Sequence, residues 1–502
     1  MPEPARLAWR GSPNGFFIMI KQTSAFYLIT LVVVGLAIAA VLHFGAALPL
    51  PGGEGGSVVQ PVDAVGEEGP SASPAASLLL HLHEPLVHLF LQLLLIIAAA
   101  RLVGFAFTLI GQPAVVGEMA AGILLGPSLF GWLAPGAFAF VFPESSLGTL
   151  KLLSEVGVCL FMFAIGMELN VGELRKKAST AVIVSHVSIV FPYLLGVILA
   201  YFLFTGLGAP GSSFTPFALF LGISMSITAF PVLARILQER NMTRSPLGAT
   251  AITCAAIDDV SAWCLLAFVV AIARASSLLG SAMNLALVFV FIAVMLLGVR
   301  RLLPVWLRRI GLEREEPTRG VLAVVVCVVI GAALCTEVIG IHALFGAFLA
   351  GTIMPDTRGF RHKLTLRVEN FSSILLLPLF FAFTGLRTEI GLLDDLNGWL
   401  LAALIVAVAT AGKLGGSALA ARLVGMNWRD SLQLGALMNT RGLMELIALN
   451  IGYDLGILSP RIFTMLVIMA LATTVLTGPL LALFAPPRRA PAKQEPALPV
   501  LS

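Results

Sequence analysis

Charge is scarce in this chain. Of 502 residues, 31 are Lys or Arg and 27 are Asp or Glu, together 12%, against roughly 25% in an ordinary soluble domain. A water-soluble protein of this length needs far more polar surface, so a soluble enzyme is excluded first. Cysteine is scarce too. Cys159, Cys254, Cys264, Cys327 and Cys335 all fall inside apolar runs without CxxC spacing, which excludes a disulfide framework and reads as small buried hydrophobes. No nucleophile motif, P-loop or ATP-binding cassette is present, so any pumping must draw on an ion gradient. Two decoys are set aside. Gly206-Leu207-Gly208-Ala209-Pro210-Gly211 fits G-x-G-x-x-G literally but lies in an external loop without a strand–helix context. His81, Glu84 and His88 gather at a membrane boundary without a fourth ligand, which suits interfacial anchoring better than a metal site. The net charge of +4 is spread over many short loops and does not point to nucleic acid.

Apolar sequence is what the chain has in excess, at 58% with a mean hydropathy of +0.97. Stretches of about 20 residues, long enough to cross a hydrocarbon core of roughly 30 Å, number fourteen. They are continuously apolar rather than alternating, which excludes a β-barrel. The fold class expected is an all-α polytopic membrane protein. Residues 1–45 read as a cytoplasmic N-terminus and an extra transmembrane helix over 24–44, although Gly45-Ala46-Ala47 would also suit cleavage of a signal sequence. Residues 46–84 read as an external acidic loop rich in Pro, Gly and Ser. Residues 85–486 hold thirteen further spans, centred near Leu95, Ala121, Leu160, Val190, Ser224, Asp259, Val290, Val328, Phe348, Leu379, Val406, Thr440 and Ala472. Residues 487–502 form a short tail.

The basic residues set the orientation. With a cytoplasmic N-terminus, 24 of the 31 fall in cytoplasmic segments, among them Arg175, Lys176, Lys177, Arg235, Arg240 and Arg244. Only Lys151, Arg274, Arg387 and Arg461 fall outside, and the other three, Arg101, Lys413 and Arg441, lie in or at the ends of spans. Both termini are therefore expected in the cytoplasm, in the setting of a bacterial inner (plasma) membrane. A faint internal repeat accompanies this topology. Leu160-Phe161 with Gly166 matches Leu379-Phe380 with Gly385, and the short spans before them end in Pro127 and Pro355. Seven spans separate the copies, and an odd number inverts the second copy, which is a transporter signature.

Ionisable groups within spans are the informative ones, because each costs at least about 2.5–3.5 kcal/mol at a helix centre. They are Glu118, Glu155, Asp258, Asp259, Glu337, Lys413, Arg441 and Glu445. Arg441 and Glu445, four apart, read first as a self-satisfied pair, and Glu155 and Glu337 as partly hydrated groups near helix ends. Asp258 and Asp259 differ. Adjacent helical residues point about 100° apart, so one can meet a partner while the other faces a cavity. Two neighbouring carboxylates resist being ionised together, and a buried one is tolerated only with a proton or a cation bound. Lys413 is the only lysine inside any span, and its natural partner is one of the two aspartates, with Gly412 and Gly415 allowing close helix approach. Two spans look interrupted. Pro231 follows Ser226-Ile227-Thr228-Ala229-Phe230 and cannot donate to the carbonyl of Ile227. Asn439-Thr440-Arg441-Gly442 occupies the corresponding place in the second copy. Broken helices at matching positions expose carbonyls and half-helix dipoles near the membrane midplane.

These stretches resemble the monovalent cation:proton antiporter-2 family, within the sodium/proton exchanger superfamily. The residues that carry the resemblance are Gly111-Gln112-Pro113-Ala114-Val115-Val116-Gly117-Glu118, Gly122-Ile123-Leu124-Leu125-Gly126-Pro127, Thr228 through Leu233, the Asp258-Asp259 pair, and Met438-Asn439-Thr440-Arg441-Gly442-Leu443-Met444-Glu445. The resemblance covers residues 85–486. It implies a thirteen-helix core of two inverted repeats, usually dimeric, with a dimerisation domain and a moving ion-binding domain. It implies that Asp259 binds the cation and the proton, and that Asp258 and Lys413 are the salt-bridged pair of electrogenic members. Plant members carry Asn at the first acidic position and are often linked to potassium, so the chain mixes both patterns. Ser226, Thr228, Pro231, Asn439, Thr440 and Gly442 would build the broken-helix crossing, with Glu118, Arg387, Arg441 and Glu445 as accessory candidates. The function expected is a secondary antiporter exchanging Na⁺ or K⁺ for H⁺, without cofactor or resident metal, acting as a homodimer in the bilayer. No nucleotide-binding regulatory domain is expected after Pro486. A gated cation channel without proton coupling is the alternative, disfavoured because no filter-like repeat is present.

Overall fold

The computed structural model describes residues 84–168, 178–243, 245–274, 278–310, 318–356 and 359–484, together with four isolated positions, Val33, Leu36, Ala40 and His43. The extra N-terminal span, the acidic loop up to residue 83 and the C-terminal tail lie outside the described residues. Within them the chain is helical and contains no strand.

The helices run in order α1 (Pro85–Leu109), α2 (Ala114–Leu125), α3 (Pro135–Val141), α4 (Glu144–Glu168), α5 (Ala178–Leu207), α6 (Phe214–Ser226), α7 (Phe230–Glu239), α8 (Pro246–Arg274), α9 (Leu278–Ala293), α10 (Arg300–Ile310), α11 (Arg319–Ile339), α12 (Ala343–Thr352), α13 (Phe360–Phe371), α14 (Leu377–Leu386), α15 (Leu396–Leu423), α16 (Trp428–Met438), α17 (Leu443–Asp454) and α18 (Pro460–Phe484). Wide π-type turns join α9 to α10 over Val294–Val299 and α13 to α14 over Ser372–Leu376. Ten helical segments among the described residues are long and apolar enough to cross a membrane, and α2 and α12 are shorter apolar helices. The centres expected at Ala121 and Phe348 fall on those two short helices, and Thr440 falls in the break between α16 and α17.

Two groups of helices pack chiefly within themselves. One holds α5 to α8 and α15 to α18, and the other holds α1 to α4 and α9 to α14. In lipid there is no hydrophobic force between helices, so small residues that let backbones approach decide the packing. Gly122 and Gly385 do this where α2 crosses α14. A Cβ on Gly122 would stand 2.2 Å from the carbonyl of Phe381, and one on Gly385 would stand 2.0 Å from the carbonyl of Gly122. Gly351 and Gly166 repeat the arrangement where α12 crosses α4, with carbonyls of Phe163 and Phe348 at 2.2 Å.

The glycines of α15 correct one expectation. Gly412 and Gly416 approach α5, with Leu195 and Phe191 at 2.9 and 3.1 Å from an added Cβ, whereas Gly415 has nothing within 4 Å. Positions four apart share a helix face and position 415 points away from it.

Candidate functional site

α6 ends at Ser226, Ile227-Thr228-Ala229 run extended, and α7 starts at Phe230 with Pro231 in its first turn. Proline is at ease there, where its missing N–H would have had no partner. α16 ends at Met438 and α17 begins at Leu443. The two interruptions cross and satisfy each other. Ala229 donates its backbone N–H to the Thr440 carbonyl at 2.9 Å, and the Thr228 hydroxyl donates to the Met438 carbonyl at 2.9 Å. Gly442 lets the two interrupted segments close, since an added Cβ would meet Val232 at 2.9 Å. Asn439 and Thr440 are fully buried beside α18, next to Thr473 and Thr477.

Ending α6 early frees three carbonyls, those of Ser224, Met225 and Ser226. Two buried cations take them. Arg441 donates to Ser224 and Met225, both at 2.5 Å, and Lys413 donates to Ser226. A cation at a helix C-terminus also meets the negative end of the helix dipole. The i, i+4 pairing expected for Arg441 is therefore the smaller part of its role. Glu445 Oε2 sits 3.4 Å from the guanidinium and Glu445 Oε1 has no hydrogen-bond partner among the described residues. Arg441 is held by the broken helix across from it, with its own N–H on the Thr474 hydroxyl at 3.0 Å.

Lys413 uses all three ammonium protons. Besides Ser226 they reach Asp258 Oδ2 at 2.8 Å and the Ser188 carbonyl at 3.0 Å. Ser188 is available because Pro192, four residues on in α5, has no N–H to give it. The Ser188 hydroxyl lies 3.0 Å from Asp258 Oδ1. Asp258 and Lys413 are both fully buried, so the ion pair ties α8 and α15 to α5 and to the end of α6. Asp259 is as deeply buried, at 2% exposure, yet neither of its oxygens has a hydrogen-bond partner among the described residues. One aspartate is fully engaged, while its neighbour has no side-chain donor and only the backbone N–H of Phe230, at the start of α7, near it.

A cavity of about 660 Å³ enters between the two helix groups, lined by Glu118, Phe161, Glu168, Phe230, Arg235 and Glu369 among others. It reaches the crossing at Phe230, Pro231 and Leu443, while Asp259 does not line it. The expectation that Asp259 faces the cavity is corrected in that respect: α7 begins between the two. Glu118 stands on the cavity wall, paired with Arg101 at 3.1 Å. At the opposite end the gap between the two groups, lined by Ser154, Glu155 and Asp454, opens to about 20 Å³, enough for one water, while a separate cavity of about 270 Å³ lies inside one group among α1, α3 and α4. Arg387, Glu155 and Glu337 are gathered near that end, away from the crossing. Glu337 accepts the N–H of Ala343, which starts α12. Sequence reasoning passed over Ser188, Thr474 and Asp454. Pro192 was the signal for Ser188, by the rule that marked Pro231.

A family model described as "Sodium/hydrogen exchanger, transmembrane" matches residues 94–485. The chain belongs to the sodium/hydrogen exchanger family. Among similar proteins, the Na⁺/H⁺ antiporter NhaS4 of Synechocystis is 45% identical over 390 residues, which is 78% of this chain and 95% of that one. The K⁺/H⁺ antiporter 1 of Saccharomyces cerevisiae is 32% identical over 80% of this chain and 47% of its own length. The chain thus spans about half of that exchanger, as it does of the plant Cation/H⁺ antiporter 19 from Arabidopsis thaliana, 36% identical. The solved sodium proton antiporter MjNhaP1 from Methanocaldococcus jannaschii shares the fold, with a TM-score of 0.57 at 16% identity, covering 80% of this chain and 97% of that structure. An exchanger core accounts for the two interrupted helices meeting at buried charges.

Proposed function

We propose that this exchanger carries a monovalent cation, Na⁺ or K⁺, in one direction and protons in the other by alternating access, with Asp259 as the shared ligand. The observation that carries the reading is the contrast between neighbours. Asp258 is saturated by Lys413 and Ser188, whereas Asp259 is buried with no side-chain donor and only the backbone N–H of Phe230 nearby. An ionised carboxylate in that position costs several kcal/mol unless a proton or a cation sits on it. Competition for one carboxylate couples the two fluxes without a second site. Carbonyls and hydroxyls at the crossing are the oxygen donors a dehydrated alkali cation would need beside Asp259. Arg441 and Lys413 hold the end of α6 so that it stays in place when the carboxylate changes its occupant.

The excess of basic residues on one side supports a cytoplasmic opening for the 660 Å³ cavity, which Arg235 lines. The reading has both termini in the cytoplasm of a bacterial inner membrane, a homodimer, and no cofactor beyond the transported ions. The twofold recurrence of the glycine crossing, α2 on α14 and α12 on α4, supports two inverted repeats. The relatives above are named as antiporters, which favours exchange over conduction through a channel. Everted vesicles provide the test. Adding Na⁺ or K⁺ after a proton gradient is formed should discharge it, and Asp259→Asn should abolish the discharge while the protein still inserts and purifies as a single species. Near-normal discharge by that variant would remove Asp259 from the mechanism.

A further inference from the structure

The narrow end of the molecule is closed by charge. Asp454, the last residue of α17, belongs to the helix group that carries the crossing. Its two carboxylate oxygens pair with residues of the other group: Oδ1 with Arg387 at 2.6 Å, at the end of α14, and Oδ2 with Lys151 at 3.1 Å, on α4. Arg387 also donates to Asn450 Oδ1, one turn earlier on α17, at 3.0 Å, and lies over the rings of Phe383 and Tyr453. Behind this cluster lies the 20 Å³ space, lined by Ser154, Glu155 and Asp454. At the wide end the charge pair beside the cavity, Arg101 with Glu118, stays within one helix group, joining α1 to α2. The two ion pairs of Asp454, which bridge the groups among the described residues, sit at the closed end.

We propose that Asp454, with Arg387 and Lys151, is the lock of the outer mouth. It holds the two helix groups together on that side while the cytoplasmic cavity is open, and it must part for the site to face outward. Asp454 is a positioning residue that acts on the distribution between the two open states. The proposal rests on the alternating-access reading given above, but its readout is accessibility and needs no ion flux. The lock is the right strength for a switch. Partly exposed pairs are worth little enough to break thermally, and together they bias an equilibrium without fixing it.

The test uses the full chain with its native cysteines replaced and one reporter cysteine introduced. Ser154→Cys reports the outer side in right-side-out vesicles, and Ile165→Cys, on the wall of the large cavity, reports the inner side in everted ones. Both are labelled with an impermeant maleimide. Asp454→Asn should raise the outer labelling rate on the order of tenfold and lower the inner rate. Asp395→Asn, which breaks the 2.5 Å pair with Arg461 inside one helix group, should change neither. A variant that merely loosens the protein raises both rates. Should Asp454→Asn fail to purify, Arg387→Gln carries the same expectation. Unchanged outer labelling in a folded lock variant, a rise at both reporters, or an equal rise with Asp395→Asn would overturn the proposal. Flux through the unmodified chain, assayed separately, reports whether the exchange reading itself has failed.

Discussion

Lys413 holds three acceptors with three protons, and that completeness gives it two readings. As a tether it joins α15 to Ser188, Ser226 and Asp258 and never changes state. As a participant it releases a proton when the cation reaches Asp259, so two protons exchange for one monovalent cation and charge moves. Stability cannot separate the readings, because removing either partner of a buried pair costs about 3–5 kcal/mol in both. Current can. We expect Na⁺ or K⁺ to evoke charge movement in proteoliposomes of the unmodified exchanger on a solid-supported membrane. Robust pH-gradient exchange with no charge movement across the active pH range would leave Lys413 as a tether. At the same scale, Asp258 and Asp259 show what one bond of chain does inside a helix. A rotation of about 100° separates a carboxylate with a full set of partners from one with no side-chain donor.

At the scale of elements, the recurring device is a helix made to give up carbonyls. Pro231 follows the end of α6, whose last carbonyls go to Arg441 and Lys413. Pro192 frees Ser188 for Lys413. Pro479 in α18 leaves Val475 to accept from Gln112 at 3.4 Å. This physics was legible in the sequence at Pro231, because a polar run preceded it and a matching run occurred in the second copy. It was passed over at Pro192 because nothing nearby was charged, and the partner, Lys413, is 221 positions away. The spans themselves were legible from hydropathy, since the bilayer sets their length. The Arg441 geometry was not, because i, i+4 spacing suggested a local pair while the guanidinium reaches another helix. Close crossings were half legible: Gly412 was read correctly, and Gly415 in place of Gly416 was a misreading of helix face. The crossing of α2 and α14 provides a test of packing. Gly385→Ala would drive a methyl into the Gly122 backbone and should destabilise the protein by about 1–3 kcal/mol, the usual range for overpacking. Gly415→Ala should be neutral. Melting followed by fluorescence-detected size exclusion measures both, and equal midpoints for the two variants would contradict the packing described here.

At the scale of the whole molecule, two helix groups meet over a wide cavity at one end and a charge-locked gap at the other. The broken helices put the start of α7 between the wide cavity and the buried candidate carboxylate. The central claim is that one carboxylate trades a proton for a cation, and proton release measures that trade without any membrane. Purified exchanger in weakly buffered detergent solution, with a pH-indicator dye, is mixed with NaCl or KCl, using choline chloride as the control for ionic strength. The account predicts prompt proton release from the unmodified protein, saturating with the transported cation and shifting to higher cation concentration as the starting pH is lowered. Asp259→Asn should release none of it. Undiminished cation-dependent release from Asp259→Asn, or cation transport by a protein that releases no protons on binding, would contradict the account.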